Sequence, residues 1–116
     1  LAELVVGLLE NPASRGVVLG RIRSATSHPE AAALVRETVT RDLMALASAL
    51  TDDQPEVRAA LAGVQVVGLA LARYVVAIEP LASMPANELV DVMAPAFQRC
   101  LVGPLDAPAA VDLNDL

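Results

Sequence analysis

Residues able to do covalent or acid–base chemistry are few in this chain, and their spacing keeps them apart. His28 is the single histidine and stands in "SHPE", directly before a proline. A nucleophile–base pair needs an imidazole, or an equivalent base, held by a third group. A lone histidine at a corner suits a helix start instead, and one histidine excludes a His-based metal cluster. Cys100 is the single cysteine, so it has no internal disulfide partner and fits a reducing compartment. Glu30, Glu56 and Glu88 each fall in the first turn of a predicted helix. The helix dipole favours carboxylates there, so their positions have a structural reason. Gly63 and Gly68 lie within a helical pattern, not after a strand, which does not match a phosphate loop. No cofactor and no enzymatic activity are expected. An enzyme reading would require turnover that is lost on changing a single acid.

Binding chemistry is a better match. Gln65 lies midway along the most apolar predicted helix, as a buried amide, an interface-edge residue or a group in a ligand pocket. Arg73 and Tyr74, near the end of that helix, are placed to cap carbonyls or to pair with an acid. Met44 and Met93 read as core fillers. Arg21 and Arg23 project to different sides of their helix and do not make one anion site.

The elements that would hold these residues are helical. Hydrophobic residues make up 55% of the 116 positions, yet Tyr74 and Phe97 are the only aromatics. A core rich in Ala, Val and Leu favours helices, because strands prefer β-branched and aromatic residues over Ala. So much apolar surface on so short a chain also favours an oligomer. The net charge is −6 and all eight basic residues are arginine. With no basic stripe, the chain alone is a poor nucleic-acid binder. No basic leader is visible at the start. The longest uncharged run nearby, residues 59 to 72, is shorter than the ~20 residues of a membrane span. A cytoplasmic protein with no membrane partner is expected.

Five helices are predicted. The first, about 1 to 10, puts Leu1, Leu4, Val5 and Leu8 on one face. The second, about 15 to 26, comes after "NPAS" with Ser14 as its N-cap and turns Val18, Ile22 and Ala25 inward. The third, about 29 to 51, aligns Val35, Val39, Leu43, Leu46 and Leu50, with Glu37 and Arg41 paired opposite. The fourth, about 55 to 79, has Asp52 or Asp53 as its cap. It confines Arg58, Gln65 and Arg73 to an arc about 80° wide. Val57, Leu61, Val64, Gly68, Leu71 and Val75 form a large aliphatic face, beside small residues Ala59, Gly63, Ala70 and Ala77. A helix apolar nearly all round is buried on more than one side. The fifth, about 86 to 102, carries Leu89, Val90, Met93, Phe97, Cys100 and Leu101 on one face, with Pro95 inside it. Residues 104 to 116 read as a flexible tail.

Between the last two helices stands "RYVVAIEPLASMP", a corner with two prolines. A helical hairpin explains it. Two hairpins, one from each subunit, make a four-helix bundle about a two-fold axis and hide the second apolar face of the fourth helix.

The run "GLALARYVVAIEPLASMPANELVDVMAPAFQRCLVGPL", 68 to 105, resembles the C-terminal domain of actinobacterial TetR-family (tetracycline-repressor-like) transcriptional regulators. The corner "RY…EPLAS" followed by "ELV…APAFQRCL" carries the resemblance, which extends over about residues 1 to 105. It implies an all-α, five-helix regulatory domain, 1–103, that forms homodimers and binds a small, largely apolar effector. Operator DNA would be bound only through an N-terminal helix-turn-helix domain. No such basic segment precedes Leu1, and there is no starting Met. A trimmed terminus or a longer parent chain would each account for this. The expected dimer interface is Val64, Leu71, Val75, Leu89, Met93, Phe97 and Leu101. The expected pocket lies among the first four helices, lined by Arg23, Met44 and Gln65. The competing reading is a helical interaction or scaffold domain that holds a partner helix, with neither a ligand nor a DNA-reading domain.

Overall fold

The structure is a computed structural model that describes residues 1–106 and 114. Most of the expected tail lies outside the described residues. All regular structure among the described residues is helical. The elements are α1 (Ala2–Glu10), α2 (Pro12–Ala25), α3 (Pro29–Thr38), a π turn (Val39–Leu43), α4 (Met44–Leu50), α5 (Pro55–Tyr74) and α6 (Ala86–Val102). The predicted third helix is the continuous run α3–π–α4, so five helical rods result, as the pattern required.

Two helix starts differ from expectation. Asn11, not Ser14, caps α2: its Oδ1 accepts from the N–H groups of Ala13 and Ser14 at 3.0 and 3.4 Å. Pro12 therefore stands inside the first turn, where its missing N–H costs nothing. The Ser14 hydroxyl instead donates back to the Leu8 carbonyl at 2.5 Å, tying α2 to the end of α1. At α5 the N-cap is Gln54, in the left-handed region at φ 48°, and no side chain caps it. Asp53 is engaged elsewhere, by Arg58.

The third rod is interrupted where Thr38, Val39 and Thr40 make three β-branched residues in succession. Such residues crowd the preceding turn of an α-helix, and here the backbone widens into π geometry. Directly opposite is Gly63 of α5. A Cβ on Gly63 would stand 3.1 Å from a Val39 methyl, so the glycine permits the close approach of the two rods.

α5 is the central rod and packs against α6, α4, the π turn and α2. Its C-terminal half joins Leu69 and Ala70 to Val5, Val6 and Leu9 of α1, Leu19 of α2, and Leu89 and Phe97 of α6. Its N-terminal half joins Ala59 and Ala62 to Ala47 of α4 and Leu101 of α6 in a second, smaller core. α1 buries Ala2, Val5, Val6 and Leu9 in the core. The predicted face of Leu1, Leu4, Val5 and Leu8 is rotated from this, and Leu4 and Leu8 are exposed. Truncating the largest fully buried side chain, Phe97→Ala, is expected to cost about 3–5 kcal/mol in unfolding free energy, measured by urea titration.

Candidate functional site

α5 is built inside out. Its arginines turn inward: Arg58 is 3% exposed, and the Arg73 side chain is 8% exposed. Arg58 is satisfied by the Asp53 carboxylate and carbonyl, both at 2.8 Å, and by the Cys100 carbonyl of α6 at 3.2 Å. The guanidinium thus clamps the start of α5 to the end of α6. The small residues Ala59, Ala62, Gly63 and Ala70 also face inward. By length and composition α5 is apolar enough to cross a membrane. Its packing and inward arginines make it the core helix of this bundle.

The other end of α5 explains the corner. The helix stops at Tyr74, five residues before the predicted end, so Val75 lies beyond it. The N–H groups of Val75 and Val76 both reach the Leu71 carbonyl, and Ala77 takes a left-handed φ of 58°. Arg73 anchors the turn beyond. Its Nη1 donates to the carbonyls of Leu81 and Met84 at 2.5 and 2.7 Å, while Nε and Nη2 grip Glu10 of α1 at 3.0 and 2.9 Å. The Tyr74 hydroxyl donates to the same Glu10 oxygen. The Arg15 guanidinium of α2 lies 4.9 Å from the centre of the Tyr74 ring, in cation–π contact.

This network perturbs its acids. The Tyr74 hydroxyl holds the Glu10 carboxyl below the usual carboxylate range; partial burial opposes the effect and Arg73 adds to it. Burial pushes the Tyr74 phenol up, and Glu10 adds to that.

The outward face of α5 is aliphatic. Val57, Leu61, Val64, Gly68, Leu71 and Val75 recur at steps of four and three, the spacing of a helix-pairing seam. Val64 is 63% exposed, Val57, Leu61, Gly68 and Val75 are also exposed, and Leu71 is half-buried. A Cβ on Gly68 would meet nothing within 4 Å, so the middle of the stripe is open to a close neighbour. The other expected interface residues lie elsewhere. Leu89, Phe97 and Leu101 are buried in the chain's own cores, and Met93 packs half-buried against the larger one. Their burial has an internal cause: the face of α6 that carries them rests on α1 and α5. On α6 the exposed large aliphatics are Val92 and Val102.

A cavity of about 270 Å³ lies where α1, α2, the third rod and α5 meet. Three predicted apolar stripes converge on it: Leu1, Leu4, Val5 and Leu8 from α1, Val18 and Ile22 from α2, and Val35, Val39 and Leu43 from the third rod. Gly63, Val66 and Val67 of α5 close it, and Arg21, Thr38 and Asp42 are its polar lining. The exposure of Leu4 and Leu8 follows from their place on this wall. A wider trough of about 740 Å³, lined by Met44, Val64 and Gly68 among others, runs along the outer side of α5. Of the expected pocket residues, Met44 borders this outer trough. Arg23 is exposed and Gln65 half-buried, and neither lines the cavity or the trough. The cavity takes their sequence neighbours Arg21, Ile22 and Val66.

The family described as tetracyclin repressor-like, C-terminal domain, matches residues 1–101. The chain belongs to that family. Tetracyclin repressor-like C-terminal domains serve transcription regulation and are regulatory rather than enzymatic, and the all-helical architecture agrees with the assignment. The fold expected from the sequence is the one found. No curated protein and no solved structure matches the chain.

The Glu10 contacts in this tetracyclin repressor-like domain carry a pH signature. A carboxyl whose folded-state pKa is depressed stabilises the fold above its unfolded pKa, and that contribution is lost as pH falls through the folded value. Glu10→Gln is therefore expected to be about 1 kcal/mol less stable at neutral pH, discounted for a side chain that is 37% exposed. The gap to the parent should close as pH falls below the carboxylate range. Urea unfolding at several pH values checks both, since all other carboxyls are common to the two proteins.

Proposed function

We propose that this chain is the dimerisation and effector-binding domain of a TetR-like DNA-binding transcriptional regulator. The observation that carries the proposal is the reversed polarity of α5, which buries two arginines and presents a seam of aliphatics to solvent. A face of this kind calls for a partner surface. A second copy supplies an identical seam, and α5 with α6 from each subunit makes a four-helix bundle. Val57, Leu61, Val64, Leu71 and Val75 would form the contact, with Gly68 at the closest approach. Leu89, Phe97 and Leu101 would support it from within each protomer.

The effector would be small and largely apolar, held in the cavity among α1, α2, the third rod and α5. α5 couples the two surfaces. Gly63, Val66 and Val67 face the cavity, Gly63 and Val67 also line the outer trough, and Val64 and Gly68 beside them belong to the outer face. An occupant that presses on α5 or the π turn changes the fit of the two subunits, and operator DNA and effector then favour different dimer conformations. DNA would be read by a helix-turn-helix domain upstream of Leu1. Cytoplasmic location belongs to the same reading, and the actinobacterial type rests on the "RY…EPLAS" corner followed by "ELV…APAFQRCL".

Light scattering on the purified chain is expected to give a dimer mass. Val64→Glu should reduce it to a monomer mass with the helical circular dichroism spectrum retained, because a charge on the seam must be desolvated without a partner. A monomer in the parent protein would overturn the dimer and favour an interaction domain for a different partner. The reading frame upstream of Leu1 is expected to encode a basic three-helix domain. A start codon immediately before Leu1 would remove the regulator reading.

A further inference from the structure

The effector reading leaves the head group of the ligand open, and the cavity wall bears on it. Resting on that reading, we infer that the cavity takes a medium-chain aliphatic carboxylate, with its chain among the branched side chains and its head group at Arg21.

The wall selects for an alkyl chain. It consists of leucine, valine and isoleucine, apart from Gly63, Arg21, Thr38 and Asp42, and no aromatic ring lines it. A planar aromatic ligand would find no ring to stack on. At the ~30 Å³ that one water occupies in the liquid, about the size of a methylene, 270 Å³ holds roughly nine such groups. No buried side-chain nitrogen or oxygen among the described residues is left without a partner, so the interior asks for no polar atom from the ligand.

The polar lining selects the head group. Thr38 already donates its hydroxyl to the Leu34 carbonyl at 3.0 Å. Asp42 is engaged by Arg41 at 2.9 Å, an arginine that also pairs with Glu37. Arg21 is exposed at the mouth of the cavity and has no hydrogen bond or ion pair to any described residue. The donor group left free at the rim is therefore a guanidinium, which pairs a carboxylate through two parallel N–H···O bonds.

Calorimetric titration of the chain with three ten-carbon probes, decanoate, decanol and decylamine, each below its micelle concentration, tests the inference. Decanoate should bind about tenfold more tightly than decanol, the scale of one hydrogen bond to a charged group. Arg21→Gln should remove that preference and leave decanol unchanged, and the preference should shrink as salt is raised. Val66→Phe, which fills the cavity, should weaken decanoate and decanol alike. Equal binding of decanoate and decanol, tighter binding of decylamine, or a preference that survives Arg21→Gln would overturn the head-group assignment while leaving the pocket in place. Failure of all three probes to bind, or binding that persists undiminished in Val66→Phe, would overturn the pocket reading and this inference with it.

Discussion

The guanidinium of Arg73 is the group on which this structure turns. Its hydrogen bonds and ion pair lead to two separate segments: Glu10 at the end of α1, and the Leu81 and Met84 carbonyls of the corner. A charge taken this far out of water is stable only when its donors are used. The demand ties the end of α1 to the turn after Tyr74 that leads to α6. Tyr74 and Arg15 extend the cluster to α2. Arg58 repeats the arrangement at the other end of α5, where it reaches Asp53 and α6. The central rod is thus pinned at both ends by arginines, between which packing is supplied by small residues.

With both arginines spent inside, α5 presents to the outside mainly aliphatics, with Glu56 at its first turn. This is the reverse of an ordinary amphipathic helix, and it frees one rod for two duties. Its middle third forms a cavity wall where Gly63 lets the π turn approach, and the adjacent positions belong to the exposed seam. A cavity at the gap between two separate cores is also physically consistent: the space is left where neither set of side chains reaches. Coupling between ligand and subunit contact then needs no long pathway, because the same few turns of helix carry both.

Much of this is legible along the chain. The aliphatic, aromatic-poor composition predicts helices, and the predicted bounds of α6 are those found. The stripes on the first three rods read as core faces, and they are apolar faces that meet. What they enclose in part is a cavity, since the core-facing residues of α1 are one position round the helix. The differences have specific causes. Pro12 reads as a breaker until Asn11 is seen to cap the turn that contains it. The run to Glu79 reads as helix because its residues are apolar, while the stop is made by distant carbonyls and by Glu10. Leu89, Phe97 and Leu101 read as an interface because a strong apolar face looks the same whether its partner is another subunit or α1.

What the sequence determined by itself is the local part: helical periodicity, the placement of prolines at first turns and corners, the crowding of Thr38, Val39 and Thr40, and the excess of apolar surface. Backbone sterics and side-chain spacing dictate these, and both act over a few residues. Only the tertiary structure decided which face of each rod is inside. The arc of Arg58, Gln65 and Arg73 would face water on an isolated helix; here its two arginines are buried because Asp53, Glu10 and free carbonyls from other segments are waiting for them. Burial of a charge depends on partners far apart in the chain, 63 residues in the case of Glu10 and Arg73. No window of neighbouring residues contains that information.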